Sequence, residues 1–317
     1  MDNDMSYFRK KDQTELMKSN DVVLPNFYEK FGQLIEDFDV RDDDIWVCGF
    51  PKTGTTWCKE MTWCVANDLD FEGAKQNLLE RVPLLEMYSY QDFEKAMQDN
   101  PDIEIPKYIF DSIGYINGLK SPRYIKTHLP YQLLPKKLRE KSTKAKIIYM
   151  ARNPKDTCLS FFHFATLLGS YEDNFEAFCE LFISNSLCYS PFFDHILGFW
   201  NRRDDPQVLF LKYEDMKQDL HLVLRQTAQF LGKHMNDDQL LALEDHLSFK
   251  SMKKNSAVSG EPFIGISLRL FNGSRGKGNI IRSGNVGEGK TNMTPAFVKI
   301  FDEWENKSLE KSGLKFL

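Results

Sequence analysis

The sequence lacks three features that would each indicate a particular class of protein. None of its six cysteines forms a C-x-x-C pair, so neither a zinc site nor a disulfide framework is indicated. Basic residues (41) do not outnumber acidic ones (46), and the net charge of −5 offers no broad positive surface to a nucleic acid. No uninterrupted apolar run is long enough to span a bilayer, and residues 1–20 are polar. We therefore expect a cytoplasmic protein with buried, reduced thiols, no secretory signal, no membrane anchor and no nucleic-acid partner.

Linkers rich in proline, glycine and serine are also missing, as are internal repeats. This favours one α/β domain over residues 21–317, preceded by a flexible tail over residues 1–20. Predicted strands lie at 44–49, 123–127, 146–151 and 207–213, and predicted helices at about 55–67, 154–168, 174–185, 190–202, 220–232 and 294–309. The alternation of strands and helices predicts a central parallel sheet with helices on both faces.

Two other segments are assigned to loops. Residues 253–290 are rich in glycine and serine, and a loop of that length in a compact domain is typical of a lid. Asp42, Asp43 and Asp44 precede the first predicted strand of the sheet, and we expect them to form a solvated turn rather than a metal site.

A loop rich in glycine and threonine follows the first of these strands. Gly49 and Gly54 have the spacing of an ATP-binding P-loop, but Thr55 stands where that motif has its lysine. The only lysine of the loop, Lys52, precedes the second glycine. Free N–H groups at the start of the next helix, the hydroxyls of Thr55 and Thr56 and the charge of Lys52 together predict a phosphate-binding loop.

Basic residues follow the next two predicted strands. Lys126 and His128 stand at the end of one strand, and Arg152 follows the other, where a Walker-type NTPase would place an acid that helps to hold Mg²⁺. Ser160 lies in the helix after Arg152. Because ligands of open parallel sheets bind at the carboxyl ends of the strands, we expect one site there, for a phosphorylated ligand handled without a metal.

These segments, in this order, resemble the cytosolic sulfotransferases, which transfer a sulfonate from 3′-phosphoadenosine 5′-phosphosulfate (PAPS) to a hydroxyl or an amine. The matching segments are residues 51–57, 126–130, 151–156 with Ser160, 209–215 and 248–250. The similarity extends roughly from residue 24 to residue 290. It implies a P-loop-like phosphosulfate-binding loop, PAPS as the donor, 3′-phosphoadenosine 5′-phosphate (PAP) as the product and no metal.

The resemblance also implies roles for individual residues. His128 is the general base, consistent with the ordinary pKa range of histidine, Lys52 and Lys126 stabilise charge on the transferred group, and Ser160 binds the 3′-phosphate and contacts Lys52. The implied donor-binding residues are Lys52, Thr53, Gly54, Thr55, Thr56, Trp57, Arg152, Ser160, Tyr213, Ser248, Phe249, Arg282, Ser283 and Gly284. The predicted acceptor-binding residues are Lys126, His128, Phe161, Phe162, Phe164 and Tyr88.

The chain departs from the family pattern near its C-terminus. The family motif R-K-G-x-x-G-D-W-K begins here with Arg282, but Ser283 replaces the lysine and Gly289 replaces the tryptophan. We expect a weaker grip on the 3′-phosphate and a looser lid. In the dimer motif of the family, Pro295 replaces a valine and Lys299 replaces a glutamate, so a homodimer is possible but the usual one is not carried over.

The sequence therefore predicts a PAPS-dependent sulfotransferase that acts on a small lipophilic alcohol or phenol of the steroid, retinoid or xenobiotic type, by in-line transfer. Three alternatives stay open: a retinol-dehydratase-like enzyme that uses the same donor, a catalytically silent nucleotide-binding relative, and a kinase. The joint presence of Lys52, Lys126 and His128 argues against a silent relative. Dependence on ATP and Mg²⁺ would reveal a kinase.

Overall fold

The parallel sheet predicted from the sequence is present in the computed structural model, which describes residues 16–270 and 278–316. The strands are β1 (Leu16–Ser19), β2 (Val22–Pro25), β3 (Ile45–Cys48), β4 (Tyr124–Thr127), β5 (Lys146–Ala151) and β6 (Val208–Lys212). In the described residues, β1 and β2 form an antiparallel hairpin, and the other four strands form a parallel sheet in the order β4-β3-β5-β6. The carboxyl ends of all four parallel strands therefore lie at the same edge.

Helices account for most of the remaining described residues. They are α1 (Tyr28–Glu36), α2 (Thr55–Ala66), α3 (Leu78–Arg81), α4 (Phe93–Asp99), α5 (Lys107–Phe110), α6 (Ser112–Asn117), α7 (Lys136–Arg139), α8 (Pro154–Leu167), α9 (Phe175–Ile183), α10 (Phe192–Trp200), α11 (Tyr213–Gln218), α12 (Leu220–Leu231), α13 (Asp237–His246), α14 (Phe249–Lys254), α15 (Glu261–Leu270), α16 (Glu288–Asn292) and α17 (Pro295–Leu309). Short 3-10 helices include Met87–Tyr90 and Ser256–Val258. None of the helices in the described residues combines the length and apolarity needed to cross a bilayer.

Both faces of the parallel sheet are covered, as the apolar strand sequences predict. Successive side chains of a strand point to opposite faces. In β3, Trp46 packs into a core that includes residues of α9 and α10, whereas Ile45 and Val47 pack into a second core with residues of α2 and α12. The sheet is thus the middle layer between two sets of helices, which confirms the predicted fold class.

In the turn before β3, Asp42 and Asp43 are exposed as predicted, but Asp44 is not. Asp44 is fully buried, and its carboxylate accepts hydrogen bonds from the guanidinium of Arg123 at 2.6 and 2.8 Å. The two residues precede β3 and β4, so this ion pair holds the starts of neighbouring strands together. A buried acid is stable there because it is paired with a buried base.

Two other predictions are corrected. Residues 16–19, assigned to the flexible tail, form β1, and Leu16 contributes to the wall of the cavity described below. The rest of the tail, residues 1–15, lies outside the described residues. The stretch at 253–290, predicted as one long loop, contains helices α15 and α16. Residues 271–277 of that stretch are likewise outside the described part.

All six cysteines lie in the described residues and carry free thiols. Five of them are buried, and Cys188 is half-buried. The predicted pattern of unpaired, mostly buried thiols is therefore present.

Candidate active site

A cavity of about 390 Å³ lies at the edge where the parallel strands end. Lys52 from the loop after β3, Lys126 and His128 at the end of β4 and Arg152 after β5 all contribute to its wall. The topology thus brings together residues that are up to 100 positions apart in the sequence, as expected from the shared edge of a parallel sheet.

The loop after β3 has the shape needed to present N–H groups to an anion. Lys52 and Gly54 have positive φ angles of 71° and 97°, and Gly54 is the residue before α2. A side chain at Gly54 would collide with the ring of Tyr213, so the close approach requires glycine. Thr55 and Thr56, in the first turn of α2, line the cavity, where the free N–H groups of the helix favour a negative charge.

Two predicted donor-binding residues do not line the cavity. The hydroxyl of Thr53 is buried and donates a hydrogen bond to the carbonyl of Phe50 at 2.8 Å, which closes the loop from within. The hydroxyl of Ser248 accepts the N–H of Ser251 and donates to the Ser251 hydroxyl, so it caps α14. Both side chains shape the site from outside its surface.

Lys52 is surrounded by other cations. Burial, with the charges of Lys126, Arg152 and Arg282, lowers the pKa of Lys52 to about 7. Its Nζ lies 4.2 Å from the centre of the Phe164 ring. The predicted contact of Lys52 with Ser160 is not formed in the described residues, although Ser160 lines the same cavity. A polyanionic ligand among these cations would restore the charge of Lys52.

The ring of His128 is held by a backbone carbonyl. Its Nδ1 lies 2.5 Å from the carbonyl oxygen of Gly49. A carbonyl only accepts, so Nδ1 carries the proton and Nε2 of the neutral ring keeps its lone pair. Burial, followed by the charge of Lys126, holds the pKa of His128 well below its usual range. The ring is therefore neutral near pH 7 and can accept a proton inside the cavity.

Two residues that the sequence analysis missed, Glu86 and His195, hold the backbone of His128. Glu86 is buried, and it accepts hydrogen bonds from the N–H of His128 at 2.7 Å and from the hydroxyl of Thr127 at 2.8 Å. His195 donates from Nε2 to the carbonyl of His128 at 2.8 Å, and its Nδ1 accepts from the Tyr149 hydroxyl at 2.8 Å. Burial lowers the pKa of His195 to about 4, so it stays neutral.

Glu86 and His195 could have been noticed in the sequence as polar residues within apolar segments. Glu86 stands in the apolar stretch 82–87, and His195 stands in the apolar helix α10. An isolated polar residue in a buried segment needs a hydrogen-bond partner. The identity of that partner is not local, and only the folded chain reveals it.

Arg152 lies in the cavity wall next to the loop that carries Lys52. Its guanidinium lies 4.3 Å from the centre of the Tyr213 ring, and its Nη2 donates to the carbonyl of Asn285 at 3.2 Å. Its Nε is buried without a hydrogen-bond partner in the described residues. A buried guanidinium N–H without a partner fits a site that is completed by an oxyanion.

Two further aromatic rings contribute to the cavity wall. Trp57 and Phe249 both line the cavity, and the Trp57 indole N–H is anchored on the carbonyl of Leu247 at 2.9 Å. Gly284, with a φ of 68°, comes so close to the Phe249 ring that a side chain would not fit. These rings can hold an adenine by stacking.

The segment that departs from the family motif is tied to the rest of the protein. Arg282 forms an ion pair with Glu288, and the hydroxyl of Ser283 donates to the same carboxylate at 2.7 Å. The N–H of Gly289 donates to Asp156 at 2.7 Å. A side chain at Gly289 would run into the backbone of α8, so α16 lies directly against that helix. The looser lid stays a prediction.

The apolar part of the wall includes only some of the predicted acceptor residues. Phe161 and Phe164 line the cavity, but Phe162 does not, because it points into the core formed with α9. Tyr88 packs against Phe31 with ring centres 3.9 Å apart, also away from the cavity. The residues that the sequence analysis missed in this wall include Leu84, Met87, Tyr90, Tyr189, Phe263 and Ile266.

One group of potential metal ligands lies outside the cavity wall, in the described part of the chain. It consists of Glu60, Cys64 and His246. Both Glu60 oxygens are already engaged, one by Arg81 at 2.7 Å and the other by His246 Nε2 at 2.7 Å. The arrangement therefore is a hydrogen-bonded network around the buried ion pair of Glu60 with Arg81.

The comparisons with known proteins agree with this geometry. A model of the sulfotransferase domain matches residues 42–313. Luciferin sulfotransferase of Photinus pyralis is 40% identical over 298 residues, 94% of this chain and 80% of the relative, and sulfotransferase 1E1 of Bos taurus is 31% identical over 297 residues, 93% and 92%. The crystal structure of retinol dehydratase in complex with retinol and PAP superposes with a TM-score of 0.87 at 28% identity, covering 100% of this chain and 97% of that one. The chain thus belongs to the sulfotransferase family and is a PAPS-dependent enzyme.

Proposed function

We propose that this enzyme transfers the sulfonate of PAPS to the hydroxyl of a small lipophilic alcohol or phenol, with His128 as the general base. The observation that carries the proposal is the position of the His128 ring. Its Nδ1–H is held by the carbonyl of Gly49, and His128 shares the cavity wall with Lys52, Lys126 and the apolar residues that can receive an acceptor. The names of two relatives, luciferin sulfotransferase and retinol dehydratase, also refer to small organic acceptors.

Each residue has a distinct part in the proposed reaction. PAPS supplies an activated sulfonate. His128 takes the proton of the acceptor hydroxyl at Nε2 while the oxygen bonds to sulfur and the bond from sulfur to the phosphate oxygen breaks. Lys52 and Lys126 stabilise the negative charge on the leaving phosphate and the sulfonate oxygens. The products are PAP and the sulfate ester of the acceptor.

We also infer that no divalent metal takes part. Lys52, Lys126 and Arg152 provide positive charge at the site where kinases use Mg²⁺. Activity should therefore persist in excess EDTA. Loss of activity in EDTA with recovery on adding Mg²⁺ would contradict this inference.

An acceptor screen with radiolabelled PAPS tests the main proposal. The panel contains simple phenols, steroid alcohols, retinol and primary amines, and transfer to a hydroxyl compound is expected. Transfer to amines alone would contradict the acceptor class. Binding of PAP without transfer to any acceptor would favour the silent relative, and transfer from ATP with Mg²⁺ would favour a kinase.

A second candidate reaction is dehydration of a retinoid, because retinol dehydratase has the same fold over the whole chain. Incubation with retinol and PAPS, followed by mass spectrometry of the products, separates the two reactions. A sulfate ester supports simple transfer, whereas loss of water with release of free sulfate supports dehydration.

The oligomeric state and the compartment stay predictions. Pro295 begins α17 and Lys299 lies in its second turn, so the two departures from the family dimer motif fall on a helix whose first turns are largely exposed. We infer that the usual dimer is weakened. Sedimentation analysis over a range of protein concentrations measures the dimer dissociation, and a largely monomeric protein is expected.

A further inference from the structure

Lys59, on α2, is a buried lysine in the wall of the cavity. Its side chain is 3% exposed, and it lines the same cavity as Lys126 and His128. It follows Thr55 by one helical turn and therefore lies on the same side of α2. The proposed reaction gives Lys59 no part.

Lys59 has no hydrogen bond or ion pair within residues 16–270 and 278–316. Two buried carboxylates of this region, Glu60 and Glu86, are already engaged. Glu60 accepts from Arg81 and His246, and Glu86 accepts from the N–H of His128 and the hydroxyl of Thr127. A buried amine without a partner is costly, so its retention inside a cavity points to a ligand group.

The charges around Lys59 differ from those around Lys52, apart from one shared lysine. The cations that lower the pKa of Lys59, after burial, are Lys126 and Arg81. Those acting on Lys52 are Lys126, Arg152 and Arg282. Lys126 is common to both sets. Lys52 lies in the loop before α2, whereas Lys59 lies within α2, which packs against α3.

The wall on the side of α3 is otherwise mostly apolar. Leu78 of α3 and Leu84, which pairs with Lys126 through a β-bridge, both line the cavity. An uncharged acceptor fits such a wall without any amine. A carboxylate would instead gain from Lys59, because the excess of positive charge favours an anion and the anion restores the ammonium form of the lysine.

We propose that Lys59 is a specificity-determining residue that binds a carboxylate carried by the hydroxyl acceptor. This inference rests on the proposed function, since it assigns a chemical class to the same acceptor. The preferred acceptors are then lipophilic hydroxy acids rather than fully neutral alcohols or phenols.

The test uses 3-(4-hydroxyphenyl)propanoate and its methyl ester, which differ only in the charged group. Their affinities are measured by calorimetry at saturating PAP for the wild-type protein, Lys59→Met and Lys59→Arg. Wild type should prefer the acid, and Lys59→Met should weaken acid binding by about 10- to 100-fold, the range for a hydrogen bond to a charged group. Ester binding should change less than about twofold in this variant. Lys59→Arg should keep a preference for the acid.

Controls separate this inference from folding and from the proposed function. Methionine has a similar length and removes a buried charge, so the melting temperature of Lys59→Met should not fall. Lys75→Met, at an exposed lysine, makes the same change of charge outside the cavity and should leave both affinities unchanged. The proposed function is judged separately by the acceptor screen with wild type.

Two outcomes would overturn the assignment of Lys59. One is a wild-type protein that does not prefer the acid, and the other is a Lys59→Met variant that keeps the preference. A third outcome, an equal loss of PAP affinity and of turnover with every acceptor, would place Lys59 in the donor site and would also overturn it.

Discussion

The two sides of the cavity, which we propose bind the nucleotide and the acceptor, are built from different kinds of structure. On the nucleotide side, Lys52, Arg152 and Tyr213 each directly follow a strand of the parallel sheet or lie within four residues of its end. Their positions are set by backbone that is paired on the sheet and by the first turns of the helices that follow. Charged and hydrogen-bonding groups dominate there.

On the acceptor side, the wall consists of side chains from α3, the 3-10 helix Met87–Tyr90, α8 and α15. None of these elements belongs to the sheet, and most of the lining side chains are apolar. Such a wall can change its shape by single substitutions without disturbing the sheet. The comparison explains why one donor can serve many acceptors in a family.

The two sides meet at His128 and Lys126, so the largest effect is expected there. His128→Ala should reduce turnover by about 10²- to 10⁴-fold, the usual range for loss of a general base. The affinity for PAP should stay nearly unchanged, because the proposed PAP contacts are made by Lys52, Arg152 and their neighbours rather than by His128. Turnover by rapid quench and PAP affinity by calorimetry measure both quantities.

His221→Ala is the control, because His221 pairs with Glu244 away from the cavity. A His128→Ala enzyme that keeps most of its turnover with a hydroxyl acceptor would remove His128 from the mechanism. Equal losses of PAP affinity and turnover would mean that the two sides are not separable at this residue.

Lys52 should have the next largest effect. Lys52→Met should reduce turnover by about 10²- to 10³-fold, as for the loss of one charge-stabilising donor in a transition state. The reason is its place among Lys126, Arg152 and Arg282, where the leaving phosphate gains charge. Single-turnover kinetics measure the loss, and a variant that loses only PAP affinity would limit Lys52 to donor binding.

The difference between the two sides also explains how far the sequence could predict the site. Strand ends are marked locally by apolar runs followed by glycine, lysine or proline, so β3 to β6 and the loop at Lys52 could be predicted. Once these strands are assigned to one parallel sheet, the sheet geometry alone predicts that Lys126, His128 and Arg152 meet at one edge.

The direction of single side chains was less predictable. Phe161 and Phe162 are neighbours in α8, and adjacent helical residues point about 100° apart. Here Phe161 faces the cavity and Phe162 faces the core formed with α9. Thr53 and Ser248 have hydroxyls that satisfy their own turns, which competes with ligand binding. Glu86 and His195 reach His128 from distant segments, and no local pattern carries that contact.

The nucleotide side can be tested through the 3′-phosphate that distinguishes PAP from AMP. Arg152→Ala should weaken PAP binding by about 10- to 100-fold, because a charge-assisted hydrogen bond is lost. AMP binding should change much less. Thermal shifts with both nucleotides give the comparison, and Arg203→Ala, at an arginine stacked on Trp200 outside the cavity wall, is the control.

Equal stabilisation of the unmutated protein by PAP and AMP would contradict the assignment of Arg152. At about 100 times its dissociation constant a ligand stabilises the folded state by about 2.7 kcal/mol, so the difference is measurable.

A smaller effect is expected from pH. The pKa of Lys52 is lowered to about 7, and the phosphates of bound PAP raise it again. At pH 6 Lys52 is protonated before and after binding, whereas at pH 8 binding must include proton uptake. PAP affinity should therefore fall about tenfold from pH 6 to pH 8.

Calorimetry in buffers of different ionisation enthalpy measures that uptake. Lys52→Met is the matched control, because any titration of the phosphates of PAP is the same in both proteins. Equal uptake in the variant would assign the proton to another group, such as Lys126, whose pKa is lowered to about 8.

The smallest effect should come from Ser283→Lys, which restores the family residue on the nucleotide side. Ser283 shares Glu288 with Arg282, so a new lysine would both add a charge and compete for that carboxylate. The expected gain in PAP affinity is therefore about two- to fivefold, within the range of an exposed ion pair, and it should shrink as salt is raised. AMP affinity should not change. Ser283→Met, without the charge, should give no gain, and a gain in both variants would show that bulk rather than charge matters at this position.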